Sequence, residues 1–221
     1  MRYQDREEAG RELARWLAPV LRRPCIVAGI PRGGVMVAQP VAERLEAPLA
    51  VVFAHKLAAP ADPELAFGAL DEDGRSLVDP GLAEELGLES EDIERARARA
   101  WSAMRCGMSL YHAPRLTAFL PGCPVVLVDD GLATGLTMRA AVHYARRHGA
   151  VEITVAVPCA AADAAAQLRY EVEHFVCPVV DRGFEAVGRY YRDFSAVSDE
   201  DVAAQLARSR APGGPVGHGG S

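Results

Sequence analysis

The chain has 221 residues, half of them apolar, so it can bury one substantial core and suits a single α/β domain. Acidic residues outnumber basic ones by 30 to 24, and the net charge of −6 argues against a general affinity for nucleic acids or anionic membranes. No uncharged apolar run approaches the roughly 20 residues that a membrane span needs, and the acidic start lacks an apolar leader. We therefore expect a cytoplasmic protein.

The first part of the chain predicts a helix, a strand and a second helix. Asp5 has the position of a helix cap, and apolar residues then recur at helical spacing. Residues 25–30, CIVAGI, form a short apolar run that is typical of a strand covered on both faces. The loop PRGG follows at 31–34, and residues 35–45 predict the return helix. Pro40 should give that helix a kink or a late start.

The middle of the chain is less regular. A second apolar run at 49–54 predicts another strand, and the sequence then loses its periodicity. Asp73 and Gly74 lie between short apolar runs and predict a hairpin turn. Ser90 opens a long helix with acidic residues in its first turn, where they suit the helix dipole. We expect a small hood or flap at about residues 55–80.

Alternating strands and helices return in the second half. Strands are predicted at 124–130, 151–158 and 174–180, and helices at 138–149 and 161–172. Apolar strands separated by helices predict an α/β fold with a doubly wound, mostly parallel sheet and helices on both faces. Ligands bind such a sheet beyond the carboxyl ends of its strands. We expect a single domain over residues 1–210 and a disordered tail over 211–221, where glycine predominates.

The run VLVDDGLATGLT at 126–137 carries the strongest chemical signal. Asp129 and Asp130 end an apolar strand, and a turn rich in glycine and threonine then leads into a helix. Backbone N–H groups of such a turn can wrap a phosphate, and Thr134 and Thr137 can add hydroxyl hydrogen bonds. The two carboxylates can accept hydrogen bonds from the vicinal hydroxyls of a ribose. The run predicts a ribose 5-phosphate site, and an ordinary helix-capping turn is the alternative.

This run resembles the signature of the type I phosphoribosyltransferases, an apolar strand followed by two acidic residues and a threonine- and glycine-rich loop. The resemblance implies that Asp129 and Asp130 hold the ribose hydroxyls of phosphoribosyl pyrophosphate (PRPP), with Asp130 acting nearer the reacting carbon. It implies that the loop binds the 5-phosphate. The loop residues concerned are Gly131, Ala133, Thr134, Gly135, Leu136 and Thr137.

The loop PRGG gains a role from the same resemblance, since the family has its pyrophosphate loop at this position. Gly33 and Gly34 would permit close backbone approach to the diphosphate, and Arg32 would supply positive charge. Taken alone, PRGG is an ordinary turn. Its place one strand before the ribose loop favours the functional interpretation.

Further residues resemble a less characterised bacterial branch of the family. Lys56 precedes an A-P-x-x-P-E segment at 59–64, and F-x-A-V-G-x-Y-Y stands at 184–191, so the resemblance covers nearly all of the chain except the tail. Lys56 would add positive charge near the diphosphate. Phe184 and Tyr190 are candidates for stacking on a nucleobase acceptor, and packing in the core is the plainer interpretation of both rings.

The resemblance implies an enzyme of nucleotide metabolism, a glycosyltransferase that moves the phosphoribosyl group of PRPP to a nitrogenous base or related acceptor and releases pyrophosphate. Mg²⁺ would be the cofactor, held at Asp129 and Asp130 largely through ribose, diphosphate and water. Closure of the flap would exclude water. The expected partners are PRPP, a small-molecule acceptor and a second copy of the chain in a homodimer.

Two departures from the branch favour an alternative function. His55 stands where an arginine is expected before Lys56, and residues 106–115 lack a basic cluster that the branch often carries. Both changes remove fixed positive charge, since histidine is only partly protonated at neutral pH. The alternative is a non-catalytic protein of the same fold that binds PRPP or a nucleotide and regulates a partner. Arg32, Lys56 and the acidic pair favour turnover.

Overall fold

The computed structural model describes residues 2–111 and 113–209, in which helices and strands alternate; the tail expected at 211–221 lies outside the described residues. The α-helices are α1 (Arg6–Leu17), α2 (Gly33–Leu45), α3 (Pro80–Glu85), α4 (Ser90–Leu110), α5 (Leu136–Arg147), α6 (Ala162–Glu171) and α7 (Asp199–Ser209). The strands are β1 (Ile26–Gly29), β2 (Leu49–Val51), β3 (Ala54–Ala59), β4 (Asp62–Asp71), β5 (Ser76–Val78), β6 (Pro124–Val128), β7 (Glu152–Ala156), β8 (Cys159–Ala161), β9 (His174–Val176) and β10 (Val179–Asp181). Short 3₁₀ helices are η1 (Leu116–Phe119) and η2 (Val187–Tyr190). None of the helices within the described ranges is long and apolar enough to cross a membrane.

Five parallel strands form the central sheet, in the order β2-β1-β6-β7-β9. Alternate side chains of each strand point to opposite faces, so both faces must be covered. In β6, Val126 and Val128 join the buried cluster of α1 and α2, whereas Val125 and Leu127 join the cluster of α5 and α6. The predicted doubly wound parallel fold is therefore confirmed.

The first two helices differ in how well their sequences indicate their starts. The Asp5 side chain caps α1 by accepting a hydrogen bond from the N–H of Glu8 at 2.8 Å, as predicted. Helix α2 begins at Gly33, two residues earlier than expected, and continues through Pro40, so the late start was wrong. The proline removes one hydrogen bond, but most of the helix is buried and packing outweighs that loss.

The region where a hood or flap is expected, called the flap below, forms an antiparallel sheet of β3, β4 and β5. The prediction of irregular structure in this region was therefore wrong. The hairpin turn at Asp73 and Gly74 is confirmed, with Gly74 at a φ of +76°. One face of this sheet packs on α4 through Phe67, and Ala69 joins the cluster on the α5 side. Small residues mask the alternation of these strands, because alanine and glycine signal burial weakly.

The last predicted strand, 174–180, divides into two strands of different sheets. Strand β9 completes the edge of the central sheet, while β10 pairs with β8 in a separate two-stranded sheet. Pro178 separates them, and it has no N–H with which to continue a ladder. The prediction of one strand over 174–180 was therefore wrong.

Ion pairs attach the flap to the end of α5. Arg147 pairs with Asp71 and, at 3.1 Å, with Asp73. His148 Nε2 lies 3.0 Å from Asp73 Oδ2. The side chain of Asp71 is buried, and it also accepts the backbone N–H groups at 73 and 75. Removing a partner from a buried charge is costly, so the turn of the flap is fixed to α5.

A buried carboxylate lies beside this attachment. Glu72 Oε2 accepts the backbone N–H of Phe53 at 3.1 Å, and Oε1 lies 3.6 Å from Arg115 Nε. The Glu72 side chain is only 2% exposed. Burial outweighs the hydrogen bond and the cation, and it raises the pKa of Glu72 from its ordinary 4.5 to about 7.

This raised pKa predicts a pH-dependent effect of Glu72→Gln. The folded state favours the protonated acid, so the stability that this group provides is complete below about pH 4.5 and is lost as the pH rises through about 7. Glutamine retains an acceptor for Phe53 without ionising. We expect the variant to gain about 2 to 3 kcal/mol over wild type in unfolding free energy between pH 5 and pH 8, measured by urea denaturation. Glu85→Gln, on the exposed side of α3, should show no such change; a Glu72→Gln variant with wild-type pH dependence would contradict the assignment.

Candidate active site

The candidate site lies where the order of strands in the central sheet reverses. Strand β1 leads into α2 on one face, and its neighbour β6 leads into α5 on the other. The two connections diverge and leave a crevice beyond the carboxyl ends of β1 and β6. The loop 30–32 and the loop 129–135 both border this crevice, so the two predicted motifs meet there.

The two motifs are in direct contact, and the contact requires glycine. A Cβ atom at Gly33 would overlap the Asp130 carboxylate. A Cβ atom at Gly34 would lie 2.7 Å from the carbonyl oxygen of Val128 and 2.9 Å from Asp129 Oδ1. Real side chains do not approach backbone so closely, so any other residue would force the loops apart.

The acidic pair carries more negative charge than its surroundings neutralise. The N–H of Asp130 donates to Asp129 Oδ1 at 2.8 Å, and Arg6 Nε donates to Asp130 Oδ2 at 2.8 Å. Burial and the neighbouring Asp130 raise the pKa of Asp129 well above its usual range. Burial also raises the pKa of Asp130, although the Arg6 cation opposes that shift. Such a pair favours ligands that bring hydroxyl donors or a cation.

The loop at 129–135 presents its tip to solvent and its base to the core. Ala133 and Thr134 are exposed, whereas Leu136 is 5% exposed and packs in the core, so its side chain does not crowd the turn. Thr134 Oγ1 accepts the N–H of Leu136 at 3.5 Å. Gly135 has a φ of +76°, which places the start of α5 directly after the turn, with Thr137 in its first turn. That turn holds no acidic side chain, so its N–H groups can receive an anion.

Two cations lie near His55, on the side of the crevice formed by the PRGG loop. Arg32 is exposed at the N-cap of α2, and Lys56 is on β3. Burial, and then the positive charges of Lys56 and Arg32, lower the pKa of His55. His55 is therefore neutral at pH 7, and it adds no fixed charge to the two cations beside it.

The two aromatic candidates for acceptor recognition stack on each other. The rings of Phe184 and Tyr190 have centroids 5.1 Å apart at an angle of 16°, and Tyr190 Oη donates to Asp181 Oδ2 at 2.6 Å. Both rings pack on a buried aromatic cluster. Val187 lies between them in sequence and close to Gly131. A Cβ atom added at Gly131 would lie 2.7 Å from a methyl carbon of Val187. This segment therefore borders the ribose loop, with Tyr190 supporting Phe184.

Sequence reasoning missed Arg6 and the role of Tyr191. Arg6 contacts the side chain of Asp130, and Tyr191 Oη donates to the Asp130 carbonyl at 2.6 Å. Tyr191 belongs to the aromatic segment that the sequence singled out, but its contact depends on the fold. The position of Arg6 offered a faint signal, since a cation is unfavourable in the first turn of a helix.

The donor set suits a metal ion that shares its ligands with a substrate. No group of three or more histidine, cysteine, aspartate or glutamate side chains in the described ranges could hold a metal. Asp129 and Asp130 offer two neighbouring carboxylates that a single arginine offsets incompletely. Mg²⁺ retains waters and binds through one or two carboxylates plus phosphate oxygens, so these residues fit it.

A parallel sheet with an acidic pair and a glycine-lined crevice at its switch point defines an α/β protein whose ligand site is expected at that edge of the sheet. The phosphoribosyl transferase domain family matches residues 2–192, and the chain belongs to that family. This confirms the resemblance that the motifs predicted, and it supports a transferase.

Individual relatives agree with this membership. A Mycobacterium tuberculosis protein, provisionally named a phosphoribosyl transferase in two strains, is 38% identical over 207 residues, which are 94% of this chain and 47% of that protein. The chain thus spans about half the length of these curated relatives. A crystal structure from Thermus thermophilus is 40% identical with a TM-score of 0.77, covering 94% of this chain and 99% of that chain. An Aquifex aeolicus structure shares the fold at 14% identity and a TM-score of 0.51, covering 87% of this chain and 86% of that chain.

The contact between the two loops predicts that Gly34→Ala destabilises the protein. The added methyl group would press on the Val128 carbonyl and on Asp129, and such overpacking costs about 1 to 3 kcal/mol. Gly81→Ala is the matched control, because Gly81 is exposed in helix α3 and the atom nearest to an added Cβ would be Asp79 Oδ1, at 3.5 Å. It should change the unfolding free energy by less than about 1 kcal/mol, measured by urea denaturation. Equal effects of the two substitutions would refute the close contact.

Proposed function

We propose that this chain is a phosphoribosyltransferase that uses PRPP and Mg²⁺ to transfer a phosphoribosyl group to a nitrogenous base or related acceptor. The observation that carries the proposal is the meeting of the PRGG loop and the acidic pair at the switch point. Three charged features line the crevice in order: the positive end of α2, the two carboxylates and the positive end of α5. PRPP presents a diphosphate, a diol and a phosphate in the same order.

The phosphate half of the site would hold the 5-phosphate at the start of α5. Exposed Thr134 can donate a hydroxyl hydrogen bond, and backbone N–H groups from Ala133 to Thr137 can surround the anion. Gly131 and Gly135 keep the backbone close to the ligand. Leu136 would take part only through its N–H, which is held weakly by Thr134 Oγ1 at 3.5 Å, because its side chain is buried.

The diphosphate half would use Arg32, Gly33, Gly34 and Lys56. The glycines hold this loop against the acidic pair, and the two cations would offset the charge of the diphosphate. Mg²⁺, when bound, would neutralise the leaving group and draw on the acidic pair through ribose hydroxyls and water. The resident cations alone would leave much of that charge exposed.

The reaction breaks the bond between the anomeric carbon and a diphosphate oxygen as a bond to the acceptor nitrogen forms, and the acceptor loses a proton. Positive charge develops on the ribose ring. Asp129 and Asp130, lying beneath the ribose, would stabilise that charge electrostatically, and no side-chain nucleophile is required. The β3-β4 hairpin would cover the crevice and exclude water that could hydrolyse PRPP.

The acceptor would lie beside Gly131, against the face of Phe184. Tyr190 is held by its stacking on Phe184 and its hydrogen bond to Asp181, so it would orient Phe184 rather than touch the acceptor. We further propose that the protein acts in the cytoplasm as a homodimer on small molecules. Analytical ultracentrifugation of the purified chain tests the oligomeric state.

Calorimetry with PRPP tests the ligand assignment. Wild-type protein should bind PRPP in a magnesium-dependent manner, and Asp130→Asn or Thr134→Val should weaken binding roughly 10- to 100-fold, because each removes a hydrogen bond to a charged group. Glu85→Gln makes the same carboxylate-to-amide change on exposed α3 and should bind normally. Undetectable binding at millimolar PRPP would overturn the proposal.

A second function, a non-catalytic sensor that binds PRPP or a nucleotide, is favoured by one observation. His55 is neutral where the related branch carries a fixed charge, which leaves fewer cations for a departing diphosphate. Incubation with PRPP, Mg²⁺ and a pool of purines, pyrimidines and pyridines separates the two functions. A phosphoribosylated product detected by mass spectrometry, with matching pyrophosphate release, supports transfer; PRPP binding without either supports the sensor.

A further inference from the structure

Arg6 reaches the acidic pair from the first turn of α1, a helix to which no motif assigns a function. Its Nε donates to Asp130 Oδ2 at 2.8 Å, and the two side chains are only 13% and 16% exposed. The first turn of a helix favours negative charge, so helix stability does not account for a cation there. The contact with Asp130 does.

The guanidinium of Arg6 is itself held on several sides. Its NH1 donates to the carbonyl oxygen of Ser195 at 2.9 Å, and its central carbon lies 3.9 Å from the centroid of the Phe194 ring. A Cβ at Gly33 would come within 3.0 Å of Arg6 Nε, so the guanidinium also packs on the PRGG loop. An arginine fixed in this way can impose one orientation on its partner carboxylate.

The segments that hold Arg6 form a terminal clasp, residues 2–6 paired with residues 190–195. The N–H of Tyr3 donates to the carbonyl at 190, and the carbonyl of Tyr3 accepts the N–H at 192, both at 2.8 Å. The N–H at 193 donates to the carbonyl of Gln4 at 2.9 Å. Through Arg6 and Tyr191, this clasp holds both the side chain and the carbonyl of Asp130.

We propose that Arg6 is a positioning residue, which fixes the Asp130 carboxylate by binding Oδ2 and so prepares the other oxygen to accept a ribose hydroxyl. The inference rests on the proposed function, since it concerns the same PRPP site. Without Arg6, the carboxylate would rotate and repel its neighbour Asp129, and the ligand would have to order it on binding. Preorganised contacts of this kind raise affinity without touching the ligand.

A double-mutant cycle on the full chain tests this role, with magnesium-dependent PRPP binding measured by calorimetry. Arg6→Gln should weaken PRPP binding roughly 10- to 100-fold, and Arg6→Lys should recover part of the loss because it keeps a cation near Asp130. In an Asp130→Asn background, Arg6→Gln should cause little further loss, since its effect passes through that carboxylate.

Arg11→Gln is the matched control, because Arg11 lies on the same helix as Arg6 but is 54% exposed and pairs with Glu7. It should leave PRPP binding unchanged, and thermal melting should show that each variant folds. If Arg6→Gln does not fold, Arg6→Lys takes its place in the cycle.

The outcomes distinguish this inference from the function on which it rests. Wild-type protein that binds no PRPP overturns both. Wild-type binding that Arg6→Gln leaves intact overturns the role of Arg6 alone. A loss of equal size with and without the Asp130 carboxylate also overturns it, because Arg6 would then act on the ligand directly.

Discussion

The PRGG loop packs directly against the acidic pair and the backbone at the end of β6, at the switch point of the sheet, and the rest of the site depends on that contact. The parallel order of β1 and β6 brings the turns together, and Gly33 and Gly34 let them approach to within a few ångströms. Because the helices that follow diverge to opposite faces, their positive ends flank the acidic pair. The order of the strands, the two glycines and the directions of the helices therefore place two negative charges between two positive helix ends.

The acidic pair is a source of instability that the fold tolerates. Burial and mutual repulsion raise the pKa of Asp129, so ionising both acids costs folding free energy. Arg6 offsets part of that cost at both residues, through a direct hydrogen bond at Asp130 and through its charge alone at Asp129. A fully neutralised pair would favour stability, whereas an incompletely neutralised one retains affinity for hydroxyl donors and cations. Such compromises are expected where a site must bind a charged ligand.

Local patterns predicted the central sheet and the two loops, because apolar strands and glycine-rich turns signal themselves over a few residues. The hairpin turn at Asp73 and Gly74 was predicted, but the three strands around it were not, because they are rich in alanine and pair through contacts that periodicity does not reveal. The division at Pro178 was readable from its missing N–H. The unusual place of Arg6 in a first helical turn was a faint signal, but its partner could not be predicted, since 124 residues separate Arg6 from Asp130 and only the fold joins them.

Helix α5 links the two parts that the proposed reaction needs, the phosphate loop and the flap. Its first turn borders the phosphate loop, and Arg147 at its end holds the turn of the flap through Asp71 and Asp73. The base of the flap therefore cannot swing without disturbing the helix that would hold the phosphate. Between Leu57 and Ala59, however, the pairing of β3 with β4 shifts register twice. Bulges of this kind bend a hairpin locally. Bending there would move the tip of the β3-β4 hairpin, while the ion pairs at its other end keep the sheet attached to α5.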